Sequence, residues 1–381
     1  MRTWIEVDTD VLQHNYRLIR RVTGEKVRLM AVVKANAYGH GLIEFARAVQ
    51  SFGVDWIGVS FLEEALKLRR HNVGTPILIL VGSSDPFTFS DAAKNKIAVT
   101  ITDFQGLEAI RTLPSDVLEL LRVHLKIDTG MHRQGFLLHE VPRVVEYLQH
   151  SGIPRSIVDG VYTHFGAAED PESKDDTLTQ LTQFQSAIIS VRSAGFHPII
   201  HAATTASALI FPESKFDLIR VGAGLYGIWP SQATQKAFEN TIPLKGALSW
   251  KTIINEIKYL PKGSRIGYEF TATLKKDSII AICPVGYWHG YRRHLSNTGE
   301  VLIQGVRAPI VGRVSMCVIA IDVSGVSDVQ VGQEVTLLGK GSSDEEILLD
   351  DFALWNGVLN KEIISTIHPD IARRYVGSHS I

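Results

Sequence analysis

Leu29-Met30-Ala31-Val32-Val33-Lys34-Ala35-Asn36-Ala37-Tyr38-Gly39-His40-Gly41 is an apolar run that ends on a lysine and passes into a glycine-closed loop. Residues 29–33 are short, apolar and partly β-branched, so they predict a buried strand, and Gly39 and Gly41 mark the loop after it. Lys34 then stands at the strand's C-terminal end. An amine half-buried there loses hydration, its pKa falls, and the neutral form can attack a carbonyl to make a Schiff base. A surface lysine at a strand edge is the alternative at this point.

The same texture recurs along the chain. Apolar segments at 54–59, 77–81, 97–101, 123–127, 158–163, 199–203 and 218–221 bring the strand count to eight. Between them lie amphipathic stretches such as 62–70, 141–150 and 178–194. Eight strands alternating with helices predict an α/β fold, a parallel TIM-like (β/α)8 barrel. An open doubly wound sheet also alternates, but it usually has fewer strands, and no Gly-rich dinucleotide fingerprint follows the first one. After residue 240 strand-like runs at 253–260, 279–284, 300–303, 319–323 and 335–338 are punctuated by Lys262-Gly263 and Gln304-Gly305, which predicts a mainly β domain. The expected division is a barrel over 8–240 and a mainly β domain over 241–381, with the first strand, 1–7, packing with the latter.

Composition narrows the function. The 381 residues carry 39 basic and 40 acidic side chains with no basic block, which argues against nucleic acid or an anionic membrane as partner. The N-terminal residues lack a signal-peptide core, and no apolar run approaches the roughly 18 residues needed to span a bilayer. Cys283 and Cys317 are too few for a metal cluster or a disulfide framework. A cytoplasmic protein acting on small molecules is expected, with no metal.

On a barrel, polar residues at strand C-termini are site candidates. Lys34 ends the first strand, Arg133 follows the fifth, His164 ends the sixth, Thr205 follows the seventh and Arg220 ends the eighth. Each has a plainer reading: a core histidine for His164, a helix N-cap for Thr205, ion-pair partners for the arginines.

Six motifs in order carry a resemblance that runs nearly end to end: Val33 to Gly41; Lys126-Ile127-Asp128-Thr129-Gly130-Met131-His132-Arg133; Thr163-His164-Phe165; Arg220-Val221-Gly222 with Tyr226-Gly227; Gly267-Tyr268; and Val311-Gly312-Arg313-Val314-Ser315-Met316. The chain resembles the bacterial alanine racemase family. That resemblance implies a fold-type III pyridoxal phosphate enzyme, a homodimer with shared active sites, and two-base racemisation of alanine that supplies D-alanine for peptidoglycan. Lys34 would anchor the cofactor and act on one face of the substrate carbon, and Tyr268 from the second subunit on the other. Tyr38, Thr205 and the backbone N–H groups of Gly222 and Ala223 would take the phosphate. His164 would join Arg220 in a network, and Arg220 would face the pyridine nitrogen. Arg133 and the Met316 backbone N–H would bind the substrate carboxylate. Lys126, which can be carbamylated in relatives, would orient Arg133, and Glu169, Tyr287, Arg293 and Arg313 would form the entryway. Serine or broad-spectrum racemases, a fold-type III decarboxylase and a noncatalytic pyridoxal phosphate carrier are the alternatives.

The chain departs from the family pattern at several places. Thr204-Thr205 stands for the usual Asn-Ser, Cys317 for an acidic residue, and His289 for the aspartate of Gly-Tyr-x-Asp-Gly. Pro369 stands where many members carry a tyrosine beside the phosphate and substrate, so a side chain larger than methyl would fit. Cys317 reads as a small buried hydrophobe and His289 as structural.

Overall fold

The computed structural model describes residues 2–170 and 174–378. Two compact units are formed, one from Gln13–Ala35 and Leu42–Leu244, the other from Met1–Leu12, Asn36–Gly41 and Lys245–Ile381. The first strand, β1 (Thr3–Asp8), belongs to the second unit.

The first unit is the expected barrel. Its strands are β2 (Arg28–Val32), β3 (Trp56–Val59), β4 (Ile77–Ile79), β5 (Ile97–Ile101), β6 (Val123–Asp128), β8 (Val158–Tyr162), β9 (Ile199–His201) and β10 (Leu218–Val221), with the two-residue β7 (Phe136–Leu137) added beside β6. All eight run parallel. The ring closes because β10 pairs with β2 and β5 pairs with β6. β3 begins two residues later than its apolar run because Gly53 and Val54 turn the chain out of the helix Leu42–Phe52, the Val54 N–H donating to the Val49 carbonyl at 3.2 Å. The outer helices 62–70 and 141–150 stand where amphipathic spacing predicts them, and the longest, Lys174–Ser193, starts one turn earlier than expected.

Residues two apart on a strand share a face, so the barrel interior can be read in layers. Met30, Leu78, Ala98 and Leu218 form one buried apolar layer, with Trp56 and Ile199 packed on it. Two residues further along β5 and β10 stand Thr100 and Arg220, and Lys126 on β6 pairs with Tyr162 on β8, all four buried. On β5 and β10 one pleat therefore separates apolar side chains from polar ones nearer the strands' C-terminal ends.

The second unit is built on a sheet of β1, β11 (Leu248–Ile253), β16 (Glu300–Ile303), β17 (Val306–Pro309), β19 (Glu334–Lys340), β20 (Glu346–Ile347) and β21 (Ala372–Val376). β1 pairs antiparallel with β11 and parallel with β21. Strands β12 (Glu256–Leu260), β15 (Ser278–Cys283) and β18 (Ile319–Asp322) form a second sheet, and β13 (Arg265–Ile266) and β14 (Ala272–Thr273) a small hairpin. The run 253–260, expected as one strand, is divided: Ile253 ends β11 in the large sheet and β12 opens in the small one, with fully buried Ile254 at the crossing. Among the described residues no helix is long and apolar enough to cross a membrane.

Because Leu78 is fully buried in the apolar layer, Leu78→Ala should lower unfolding stability by about 2–5 kcal/mol in urea. A loss below about 0.5 kcal/mol, typical of surface sites, would show that the layer does not bear on stability.

Candidate active site

Lys34 follows Val33, whose N–H still donates to the Gly58 carbonyl at 2.8 Å, so strand pairing reaches the residue before the lysine. The chain then does something that its side chains do not favour. Ala35, Asn36, Ala37 and Tyr38 have φ of 55, 54, 51 and 49°, a left-handed helical turn without a glycine, before Gly39 at 81°. For L-residues this conformation costs roughly 1–2 kcal/mol each, so surrounding contacts must hold it. Several do. The Ala35 N–H donates to Glu64 Oε1 at 2.8 Å, and the Gly41 N–H closes the turn on the Asn36 carbonyl at 2.9 Å. Within the second unit, Arg373 Nε donates to the Gly39 carbonyl at 3.1 Å and Tyr375 Oη to that of His40 at 3.0 Å. Gly39 has no alternative, since a Cβ there would lie 2.0 Å from the Ile364 carbonyl oxygen. His40 is fully buried and burial pushes its imidazole down to about 4, so it is neutral. Tyr38 is half-buried at the end of this turn.

Arg220, in β10, is buried, and among the described residues its hydrogen-bond partners include no carboxylate. One nitrogen meets His201 Nδ1 at 2.8 Å; the other donates to the Thr163 carbonyl at 2.7 Å and the Ala202 carbonyl at 2.8 Å, and meets His164 Nδ1 at 3.3 Å. Its guanidinium also lies 5.0 Å from the Tyr162 ring centre. Burial lowers its pKa to about 10, which leaves it cationic. Lys126 is pushed down to about 8, first by burial and then by Arg133 and Arg220, with Lys34 adding to the push and Asp128 opposing it. His164 is held well below the usual histidine range by burial and by Arg220, Arg133, Lys126 and Lys34. Lys34, Lys126, Arg133, His164 and Arg220 are thus one electrostatic cluster, strongly positive, in the polar end of the barrel. A field of that sign with few carboxylates is suited to anionic ligands.

Thr205 opens the helix Thr205–Ile210 one position after its N-cap, which is Thr204. Its Oγ1 accepts the Gly224 N–H at 3.4 Å, which brings it beside the 3-10 turn Ala223–Tyr226 that follows Gly222. Glu169 is exposed, and its carbonyl accepts the hydroxyls of Ser231 at 2.6 Å and Thr234 at 3.0 Å, so its backbone is tied to the 231–234 turn.

In the second unit Tyr268 stands 68% exposed on a 3-10 turn, Tyr268–Phe270. The next residue, Glu269, joins two predicted positions: its carboxylate accepts Arg313 at 2.8 and 3.1 Å and Arg293 at 3.2 Å, and Arg313 above all holds its pKa below the ordinary carboxylate value. Glu269 escaped sequence reasoning because an isolated acidic residue carries no spacing signal. Tyr287 and Met316 are also brought together, the Tyr287 and Trp288 N–H groups donating to the carbonyls of Ser315 and Met316 at 3.1 and 3.0 Å. Cys317 is exposed, contrary to its reading as a buried hydrophobe. His289 Nδ1 accepts the Gly286 N–H at 3.2 Å and its carbonyl accepts the His368 N–H at 3.1 Å, a structural role.

Two family models match the chain, "Alanine racemase, N-terminal domain" over residues 7–230 and "Alanine racemase, C-terminal domain" over 247–375. The chain belongs to the alanine racemase family. It is 36% identical over 376 residues to the alanine racemase of Symbiobacterium thermophilum, covering 98% of this chain and 97% of that one. It is 34% identical to that of Methanococcus maripaludis, covering 98% of each. Among solved structures, alanine racemase of Clostridium difficile 630 superposes with a TM-score of 0.90 at 30% identity, covering 99% of this chain and 96% of that one. The Bacillus anthracis alanine racemase with bound L-Ala-P does so with 0.88 at 32%, covering 99% and 95%.

As a member of the alanine racemase family the chain is an amino-acid racemase, an isomerase on a TIM barrel. Its buried cations have a thermodynamic signature. With a folded pKa near 8 against 10.5 unfolded, Lys126 carries its full burial penalty below pH 8 and sheds it as pH rises toward 10.5. Wild-type stability should therefore gain about 2–3 kcal/mol relative to Lys126→Met between pH 7.5 and 10.5. Parallel pH profiles for the two proteins would contradict the burial of a charged amine.

Proposed function

We propose that this racemase interconverts L- and D-alanine with pyridoxal 5'-phosphate, supplying D-alanine for peptidoglycan in the cytoplasm, as a homodimer whose active sites draw on both subunits. The observation that carries this reading is Arg220. Many pyridoxal phosphate enzymes set a carboxylate at the ring nitrogen, where it keeps a proton on the ring. Arg220 offers only donors, and its partners here are carbonyls and imidazoles. A decarboxylase of the same fold type would be served better by an acid there.

The residues suit such a group chemically: a lysine follows a strand end, a hydroxyl and glycine-flanked amides lie together, and the field is positive. When bound, the cofactor would supply an electron sink for the substrate α-carbon. Lys34 would hold it covalently and move a proton on one face of that carbon. Thr205, Tyr38 and the N–H groups of Gly222 and Ala223 would take the phosphate. Arg220 would donate to the ring nitrogen without surrendering a proton, which limits electron withdrawal and favours return of a proton to the α-carbon. His164 extends the Arg220 network. Arg133 and the Met316 N–H would bind the substrate carboxylate. Lys126, with roughly a tenth of its amine neutral at pH 7, could add carbon dioxide with loss of a proton, and the resulting carbamate would orient Arg133.

Tyr268 of the partner subunit would move the proton on the opposite face. In support, Tyr268, Phe270, Tyr287, Trp288, Met316 and Val318 are all exposed on the second unit, where a second copy would cover them. Glu269, gripped by Arg293 and Arg313, fixes the turn that presents Tyr268; with Tyr287 and Glu169 these arginines would line the entryway. A serine or broad-spectrum racemase is the second reading, favoured by Pro369, which brings neither a hydroxyl nor an aromatic wall to its position. Such a change alters discrimination by only about 1–3 kcal/mol.

Purified holoenzyme incubated in D2O with a panel of L-amino acids should incorporate α-deuterium fastest into alanine; serine ahead of alanine would move the assignment to the second reading, and no exchange with any substrate would overturn both. Lys34→Ala should lose the visible cofactor absorbance, and a borohydride-reducible linkage that survives would remove Lys34 as anchor. Tyr268→Phe should slow proton removal about 10²–10⁴-fold from one enantiomer, whereas equal effects in both directions would contradict the two-base assignment.

A further inference from the structure

The polar cluster continues below Arg220 through side chains that the reaction does not touch. His201, the last residue of β9, lies between Arg220 and His124: its Nδ1 is 2.8 Å from the guanidinium and its Nε2 2.8 Å from His124 Nδ1. His124 Nε2 then stands 3.5 Å from Asp159 Oδ2. His124 and Asp159 are each the second residue of their strands, β6 and β8, so the series starts near the strands' N-terminal ends. Asp159 is partly exposed, while both imidazoles have no exposed surface.

The donor arithmetic of this series has one solution. A guanidinium can only donate, so His201 Nδ1 accepts and carries no proton. A neutral His201 then has its proton on Nε2, which donates to His124 Nδ1. His124 must in turn carry its proton on Nε2, the atom 3.5 Å from the Asp159 carboxylate, which is the one group in the series that can only accept. Burial, followed by the Arg220 charge, holds His201 well below the ordinary histidine range, and burial lowers His124, so both are neutral as the arithmetic requires. The space is built for it. Tyr162 stacks on His201 with ring centres 4.6 Å apart and an interplanar angle of 8°, and Trp56 packs its edge on His124 at 5.4 Å. Tyr162 Oη is engaged elsewhere, by Thr100 at 3.0 Å and the Leu80 carbonyl at 3.1 Å, so it does not compete. At Gly160 a Cβ would lie 2.1 Å from His124 Nδ1, so the ring's place depends on that glycine.

We propose that Asp159, His124 and His201 are positioning residues for the racemase: a one-way string of neutral imidazoles, ending on a carboxylate, that aims the Arg220 guanidinium from the strands' N-terminal side. The inference rests on the reading of Arg220 as the donor to the cofactor ring. Hydrogen bonds from Arg220 to His201 and from His201 to His124 lead from a buried cation, which has no direct counter-ion among the described residues, to an imidazole edge that lies 3.5 Å from a carboxylate. The string also fixes which nitrogen of each ring is bare, so Arg220 cannot rotate away without leaving His201 Nδ1 unpaired.

The test has a spectroscopic arm and a kinetic arm. In holoenzyme labelled with ¹⁵N-histidine, long-range ¹H–¹⁵N spectra should show His124 and His201 neutral and protonated at Nε2 from pH 6 to 8. A proton on Nδ1 of either ring, or an imidazolium, overturns the proposal. Glutamine presents an acceptor and a donor in the same order as the Nε2–H imidazole. His201→Gln should therefore restore kcat to within about threefold of wild type, while His201→Leu lowers kcat about 10–100-fold with little change in KM, the scale of losses when outer partners of a functional side chain are removed. Asp159→Ala should lower kcat in the same direction, with Asp159→Glu restoring it. Equal loss in the leucine and glutamine variants, or wild-type kcat in Asp159→Ala, overturns the positioning role. The spectra need no turnover. Failure of the racemase reading would appear separately, as a wild-type protein with no α-proton exchange.

Discussion

A buried guanidinium with no carboxylate in contact among the described residues is the constraint on which this active site depends. Removing such a charge from water costs several kcal/mol unless its hydrogen bonds are met. The barrel meets them with carbonyls that its own geometry releases. Thr163 and Ala202 lie one residue past the ends of β8 and β9, and their carbonyls turn to Arg220 at 2.7 and 2.8 Å. Everything nearby follows from a donor-only group in that place. His201 and His164 face it with nitrogens that accept, Lys126 is pushed toward neutrality, and the cluster carries a field that suits phosphate and carboxylate.

A second constraint acts on Lys34. The lysine is set by a strand end, but the residues after it are held in a conformation that their side chains resist, four consecutive non-glycine residues near φ 50°. Arg373 and Tyr375 grip the carbonyls of Gly39 and His40 from the same strand, β21, that pairs with β1. Strain of this kind persists where surroundings over-determine the backbone and tends to collect at functional sites. Here the strained turn begins one residue after the proposed cofactor anchor.

Much of this was legible in the sequence, for physical reasons. Buried parallel strands must be short and apolar, and amphipathic helices must repeat at 3.6 residues, so 97–101, 218–221, 62–70 and 141–150 could be read to the residue. The run 253–260 misled because an apolar stretch does not record that the chain changes sheets at Ile254 and Asn255. The left-handed turn left no trace, since Ala35 to Tyr38 contains no glycine. Lys34, His164, Thr205 and Arg220 stood out by their places at strand ends. His124 and His201 did not, because a single histidine inside a strand reads as core until its partners are known. Cys317 reads as buried on residue type alone, whereas the structure exposes it.

The central claim is that Arg220 presents only a donor to the cofactor ring. The most direct test is the ¹⁵N chemical shift of the ring nitrogen in holoenzyme reconstituted with ¹⁵N-labelled pyridoxal 5'-phosphate. An unprotonated nitrogen that accepts a hydrogen bond, constant across neutral pH, is the predicted result. A protonated pyridinium would contradict the account.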